Sequence, residues 1–151
     1  MMANDVFHKS PLSDLRFLVT GGAGFIGSHI VAYLVHHGAG HVRILDNLAN
    51  GSIDNLKPFL HLDNVEFIEG DIRDPETCMK ACHGVDYVSH QAALGSVPRS
   101  IKDPLTTHAV NGTGFINMLC AAKDNKVRRM VYASSSSVYG DHPALPKRES
   151  E

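Results

Sequence analysis

At 151 residues, 43% hydrophobic and 20% charged, the chain is long enough for one well-packed core and too apolar to stay disordered. Fourteen Lys and Arg against 16 Asp and Glu give a formal charge of -2, without the basic excess that would neutralise a phosphate backbone, so nucleic acid is not an expected partner. No window approaches the roughly 18 apolar residues of a bilayer span and the first ten residues are polar, so neither membrane insertion nor secretion is expected. Cys78, Cys82 and Cys120 are an odd set, read as reduced buried thiols of a cytoplasmic protein.

A polar extension, 1–15, leads into the first of five short apolar runs, at 16–20, 41–46, 65–69, 85–90 and 128–134, which are predicted as buried strands. Between them lie helical spacings. Phe25, Ile26, Ile30, Val31, Leu34 and Val35 follow the first strand, Pro75 opens a short helix over 75–83, and Ala109, Val110, Ile116, Leu119 and Cys120 mark a helix over 106–123. Gly38 and Gly84 sit where helices end in a positive φ. Strand alternating with helix predicts an α/β fold, a doubly wound parallel sheet of the Rossmann type, with a body over 16–140 and an irregular tail over 141–151.

The segment TGGAGFIG, Thr20 to Gly27, joins the first strand to the first helix, the setting in which a glycine pattern becomes a dinucleotide site. Gly21 permits the tight turn, Gly24 lets the backbone approach a pyrophosphate, and Gly27 lets the helix pack closely on the strand. The helix N-terminus offers amides and a positive dipole end to the phosphates. Asp46 ends the second strand 19 residues after Gly27, close to the offset of about 20 at which an acid accepts the adenosine ribose hydroxyls and repels a 2'-phosphate. This favours NAD over NADP. Asp71, after the third strand, either receives an adenine amino group or merely forms a turn, and Asp74 before Pro75 is a helix cap. After the fourth strand, the small residues in Gln91-Ala92-Ala93 let the backbone pass close beneath a cofactor.

Five segments together, TGGAGFIGSH, LDNLANG at 45–51, GDIRD at 70–74, HQAALGSVPRS at 90–100 and SSSSVYGDHPALPK at 134–147, resemble the extended short-chain dehydrogenase/reductase superfamily. Within it the chain is most similar to the NAD-dependent nucleotide-sugar epimerases and dehydratases, and the run from Gly95 to Ser100 resembles UDP-N-acetylhexosamine 4-epimerases, with UDP-glucose 4-epimerases next. The resemblance implies NAD as cofactor and a UDP-sugar as substrate. It places the Phe25 and Ile26 amides on the pyrophosphate, Asp46, Asn47, Asn50 and Gly51 around the adenosine ribose, and Asp71 and Ile72 at adenine. Gln91, Ala92 and Ala93 would lie along the cofactor, Asn111 would buttress the crevice, and Ser134 and Ser135 would sit beside the nicotinamide. Ser135 is the implied catalytic serine with Ser136 as helper, the register within 134–137 being open by one position. Ser96 and Arg99 would lie near the substrate, Arg99 contacting the sugar nucleotide or standing solvated.

The family's base is a Tyr followed four residues later by a Lys, about 25 residues beyond the serine. Tyr33, Tyr87, Tyr132 and Tyr139 are followed by His37, Gln91, Ser136 and Pro143 instead. The chain is therefore expected to be a cofactor-binding fragment, incomplete at the C-terminal side of the sheet, without turnover alone, and prone to self-association through a bare strand edge. Two readings stand beside 4-epimerisation: 4,6-dehydration or decarboxylation of a nucleotide sugar, and a non-catalytic NAD-binding module. Ser136 and Ser137 stand where the dehydratases carry an acid pair, which favours epimerisation. Cys78 and Cys82 could begin a metal site but lack a second ligand pair, so no metal is expected. His29 is read as packing on the first helix, and His8, His36, His37, His41 and His61 as solvated.

Overall fold

The computed structural model describes residues 6–148 apart from 142 and 144. Of the extension expected over 1–15 and the tail over 141–151, residues 1–5, 142, 144 and 149–151 lie outside the described residues, as does the side chain of Ser136. Strands β1 (Arg16–Thr20), β2 (His41–Asp46), β3 (Val65–Glu69), β4 (Tyr87–His90) and β5 (Arg129–Tyr132) form one sheet in the order β3-β2-β1-β4-β5, every pairing parallel. Parallel neighbours require crossovers. Helices α1 (Phe25–His36), α2 (Pro75–Cys82), α3 (Val97–Lys102), α4 (Pro104–His108) and α5 (Phe115–Asp124) lie in these connections or beside them. The chain thus has the doubly wound α/β arrangement, and the order reverses at β1, with β2 leaving on one side and β4 on the other.

Strand side chains alternate between faces, and two cores follow from that alternation. Leu18 and Leu45 join Cys78, Cys82, Val88, Met118 and Ala121 on the α2/α5 face, whereas Val19, Val42 and Ile44 join Val31 and Leu34 on the α1 face. Leu12, from the extension read as polar, is 7% exposed and belongs to the α1-side core. Its carbonyl accepts the amides of Leu15 and Gly40. Gly38 and Gly84 have φ of 71° and 69° at the helix ends.

The first three strands match the expected spans, and the last two are shorter. β4 starts at Tyr87 rather than 85 because the Val85 amide bonds back to Cys82 O and closes the end of α2. β5 stops at Tyr132 rather than 134, because β4 ends at His90 and the Gln91 amide turns onto Thr20 O, leaving the residues after Ala133 no ladder partner. The helix expected over 106–123 is interrupted. Ala109–Gly114 forms a π-helical turn between α4 and α5. One added residue rotates the following helix by about 100°, so the apolar spacing read across the break does not describe one face. Val110, Met118, Ala121 and Ala122 are buried, while Ile116, Leu119 and Cys120 are exposed. The burial expected for Cys120 is therefore corrected, and Cys78 and Cys82 alone are buried thiols, their pKa values pushed by burial to about 12 and about 11.

Arg43 is a buried cation that the apolar reading of β2 passed over. At 8% exposure it projects to the α2 face, where Nη1 donates to Ala81 O and His83 O at 2.9 and 2.7 Å and Nε donates to Glu66 at 2.7 Å. Glu66 also meets His41 at 3.2 Å, so His41 is a paired residue rather than a free surface one. Replacing Arg43 by Met keeps the volume but strands two carbonyls at the end of α2. The expected cost is about 1–3 kcal/mol, read from urea denaturation at constant slope.

Candidate functional site

The turn from β1 into α1 is shaped by missing side chains. Gly21 has φ +66°, and a Cβ there would lie 2.7 Å from the Ala92 nitrogen, so the β1 turn rests directly on the backbone after β4. A Cβ on Gly27 would collide with the carbonyl oxygen of Gly21, so the first turn of α1 can sit on the glycine turn only without one. Gly24 differs: its added Cβ meets only Gly21 O, at 3.2 Å, and its surface faces a crevice. It is the N-cap of α1, no side chain caps it, and the first intrahelical bond is Ser28 N to Gly24 O. The amides of Phe25 and Ile26 precede that bond, while their side chains are 79% and 60% exposed. A backbone of this shape fits a diphosphate, which needs donors without intervening Cβ atoms.

Asp46, 8% exposed at the end of β2, accepts Ala23 N at 2.9 Å on Oδ2 and Leu48 N at 2.8 Å on Oδ1. These bonds fix the carboxylate against the glycine loop and use two of its roughly four acceptor positions, leaving capacity toward the crevice. Asp71 is more heavily committed. It accepts from Arg73 through the backbone amide, Nε and Nη2 at 2.8, 3.0 and 2.7 Å, and from Asn47 Nδ2 at 2.9 Å. The Arg73 side-chain bonds hold its pKa down at about 2. A contact from Asp71 to an adenine would require one of these partners to give way.

The floor of the crevice is tied to the sheet by a buried pair. Thr20 Oγ1 lies 2.7 Å from His90 Nδ1 and accepts Ala92 N at 3.2 Å. His90 is 6% exposed, beside Phe115 at 5.8 Å between ring centroids, and burial depresses its pKa to about 4. Further along, Asn111 in the π turn grips Leu94 from both sides, accepting its amide at 2.8 Å and donating to its carbonyl at 2.9 Å. An α-helical turn of the same sequence would rotate Asn111 away, which gives the π segment a structural reason.

Together these parts enclose a crevice of about 200 Å³ outside the carboxyl ends of β1, β2, β3 and β4, at the point where strand order reverses. Of the residues singled out in the sequence, Gly21, Gly24, Asp46, Asn47, Asn50, Gly51, Asp71, Ile72, Gln91, Ala92 and Ala93 line it. Gly27 and Asn111 support its walls. Ser96 caps α3 through Arg99 N at 3.3 Å, and Arg99 Nη2 reaches Asn50 Oδ1 at 3.2 Å. Ser134 and Ser135 lie apart from the lining, beyond the end of β5, and Ser135 caps the short turn Ser136–Tyr139 by accepting Ser137 N. His29 is exposed and packs along α1 against Phe25, the rings tilted with centroids 4.7 Å apart and Nδ1 2.7 Å from Phe25 O. Arg73, Leu94, Thr106 and Val110 also line the crevice and were not singled out. For Arg73 its place two residues after Asp71 was a usable signal, whereas Thr106 and Val110 reach the crevice through tertiary packing. Among the described residues no group of three or more His, Cys, Asp or Glu side chains is arranged to hold a metal, and no helix is long and apolar enough to cross a membrane.

Residues 17–151 match the NAD dependent epimerase/dehydratase family. The chain belongs to that family. It is 38% identical over 140 residues to a UDP-glucose 4-epimerase of Klebsiella pneumoniae, covering 90% of this chain and all of that sequence. Among solved structures, it superposes with a TM-score of 0.83 and 40% identity on a UDP-N-acetylglucosamine 4-epimerase from Methanobrevibacter ruminantium in complex with UDP-N-acetylmuramic acid, covering 92% of this chain and 44% of that one. A Thermus thermophilus UDP-glucose 4-epimerase in complex with NAD gives 0.72 and 43% identity over 80% of this chain and 38% of that one. This chain therefore spans less than half of either solved enzyme. NAD is the cofactor of the family, and the glycine turn, free helix amides and fixed Asp46 carboxylate are the groups suited to hold it.

The buried His90 carries a pH signature. Its unfolded form gains a proton near pH 6.5 and its folded form only near 4. Between these values the unfolded state binds more protons, so the contribution is fully present above 6.5 and is lost as pH falls toward 4. Up to about 3 kcal/mol is at stake. Urea midpoints measured from pH 7 to pH 4 are expected to fall for the parent and to fall less for His90→Gln, which keeps an acceptor for the Thr20 hydroxyl.

Proposed function

We propose that this chain forms the cofactor-binding part of a nucleotide-sugar 4-epimerase that acts on UDP-N-acetylglucosamine or UDP-glucose through a 4-keto intermediate. The observation that carries the reading is the pairing of an open Gly24 with an Asp46 carboxylate anchored by two amides. Bound NAD would take a hydride from the sugar C4 and return it to the opposite face. The chain's own residues then have distinct tasks. The Phe25 and Ile26 amides hold the diphosphate without a counter-cation on the loop itself. Asp46 accepts the adenosine ribose hydroxyls with its remaining lone pairs and meets a 2'-phosphate with like charge. The backbone of Gln91 to Ala93, tied down through Thr20 and Asn111, fixes the path of the cofactor across the sheet. Ser135 is the hydroxyl assigned to the sugar, at the cost of its bond to Ser137, and Ser136 its helper.

Ser136 and Ser137 after Ser135 support epimerisation over dehydration, which uses an acid pair to move a proton and expel water. No tyrosine of the chain has a lysine four residues on, so a phenolate of lowered pKa is not supplied from these 151 residues. Among the described residues β5 is the outermost strand of the sheet, and its exposed Val131 and Tyr132 favour association with a second copy.

Calorimetric titration is expected to show NAD binding more tightly than NADP, and Asp46→Ala is expected to bring the two affinities together. Equal affinities in the parent would refute the ribose assignment. The same protein, supplied with NAD and UDP-N-acetylglucosamine, is expected to form no C4 epimer above a control without protein.

A further inference from the structure

Arg99 stands on α3, after β4, and Asn50 stands in the turn after β2. These strands flank β1 on opposite sides, so the 3.2 Å bond from Arg99 Nη2 to Asn50 Oδ1 crosses the mouth of the crevice. The Asn50 end is fastened to the glycine loop. A Cβ on the neighbouring Gly51 would lie 2.7 Å from the carbonyl carbon of Ala23, and Ala23 O accepts both Ser52 N at 3.1 Å and Asn55 Nδ2 at 2.8 Å. Ala23 immediately precedes Gly24. The guanidinium is therefore bonded to a segment that is itself seated on the glycine turn.

Charge at the site is unbalanced without it. The charged residues lining the crevice are Asp46, Asp71 and Arg73, and Arg73 is spent on Asp71 through Nε and Nη2. A helix N-terminus supplies only about half a positive charge, too little for a doubly charged ligand entering beside the unpaired Asp46 carboxylate. Arg99 forms none of the ion pairs among the described residues, and the side-chain partner it has is the neutral amide oxygen of Asn50. A guanidinium fork is matched far better by two phosphate oxygens than by one amide oxygen.

We propose that Arg99 binds the diphosphate of the cofactor rather than the sugar nucleotide, with Asn50 holding it at the mouth of the crevice until that anion is present. This rests on the dinucleotide reading of the crevice. It gives Arg99 a role different from both that the sequence left open, contact with the sugar nucleotide or solvation, and it adds a cation to a loop that carries none.

The test is calorimetric titration of ADP-ribose, adenosine and UDP into the parent, Arg99→Gln and Arg99→Lys, with thermal melts to confirm that all three are folded. ADP-ribose carries the cofactor's diphosphate, adenosine carries none, and UDP carries that of the substrate. Arg99→Gln is expected to weaken ADP-ribose about tenfold or more, less at high salt, while adenosine and UDP are unmoved. Arg99→Lys is expected to fall between, keeping the charge and losing the fork. Unchanged ADP-ribose affinity in Arg99→Gln overturns the proposal, as does an equal loss for adenosine, or a loss confined to UDP. If the parent binds neither ADP-ribose nor adenosine, the dinucleotide reading itself falls and the Arg99 assignment goes with it.

Discussion

The site depends on one close approach, that of the first turn of α1 to the carbonyl of Gly21. It is possible only because Gly27 has no Cβ, and it brings the uncapped amides of α1 to the carboxyl end of β1. Ala23 is thereby placed to donate to Asp46 and to receive Ser52 and Asn55, so the turn after β2 is seated on the same loop. Gly21 repeats the device on the other side, against Ala92. Three connections from three strands thus converge on a few glycines, and the crevice is what remains between them.

Electrostatics at this convergence is arranged by fixing charges rather than by accumulating them. Asp46 is held by two backbone amides, so its charge stays at a fixed place beside the glycine loop. Asp71 and Arg73 neutralise one another at the opposite wall. The pair is held by local bonds between residues two apart, and Asn47 Nδ2 ties Asp71 to the turn after β2, so this wall is fixed to its neighbour as well as neutralised.

The parts of this architecture that were legible in the sequence are those governed by local rules. Runs such as Arg16–Thr20 and His41–Asp46 have apolar content and flanking punctuation that admit one span, and the glycine spacing needs no tertiary information. Ends set by a neighbour were not legible: β5 stops where β4 turns away, which no propensity at Ala133 or Ser134 records. The π turn was also hidden, because it answers to the side chain of Asn111 meeting Leu94, 17 residues away. Arg43 and His90 read as polar residues in otherwise apolar strands, and their roles became visible only with the carbonyls, hydroxyl and carboxylate that satisfy them. Half the site was written in turns and strand ends, and the other half in contacts between them.

The Thr20 hydroxyl has a consequence of its own. Its oxygen receives the Ala92 amide and also meets His90 Nδ1, so one buried hydroxyl joins the backbone after β4 to the last side chain of β4. Amide, hydroxyl and ring form a connected chain whose members polarise one another. Sliding β4 by one residue against β1 would break that chain inside an apolar interior, so the hydroxyl and imidazole together serve as a lock on strand register beneath the crevice.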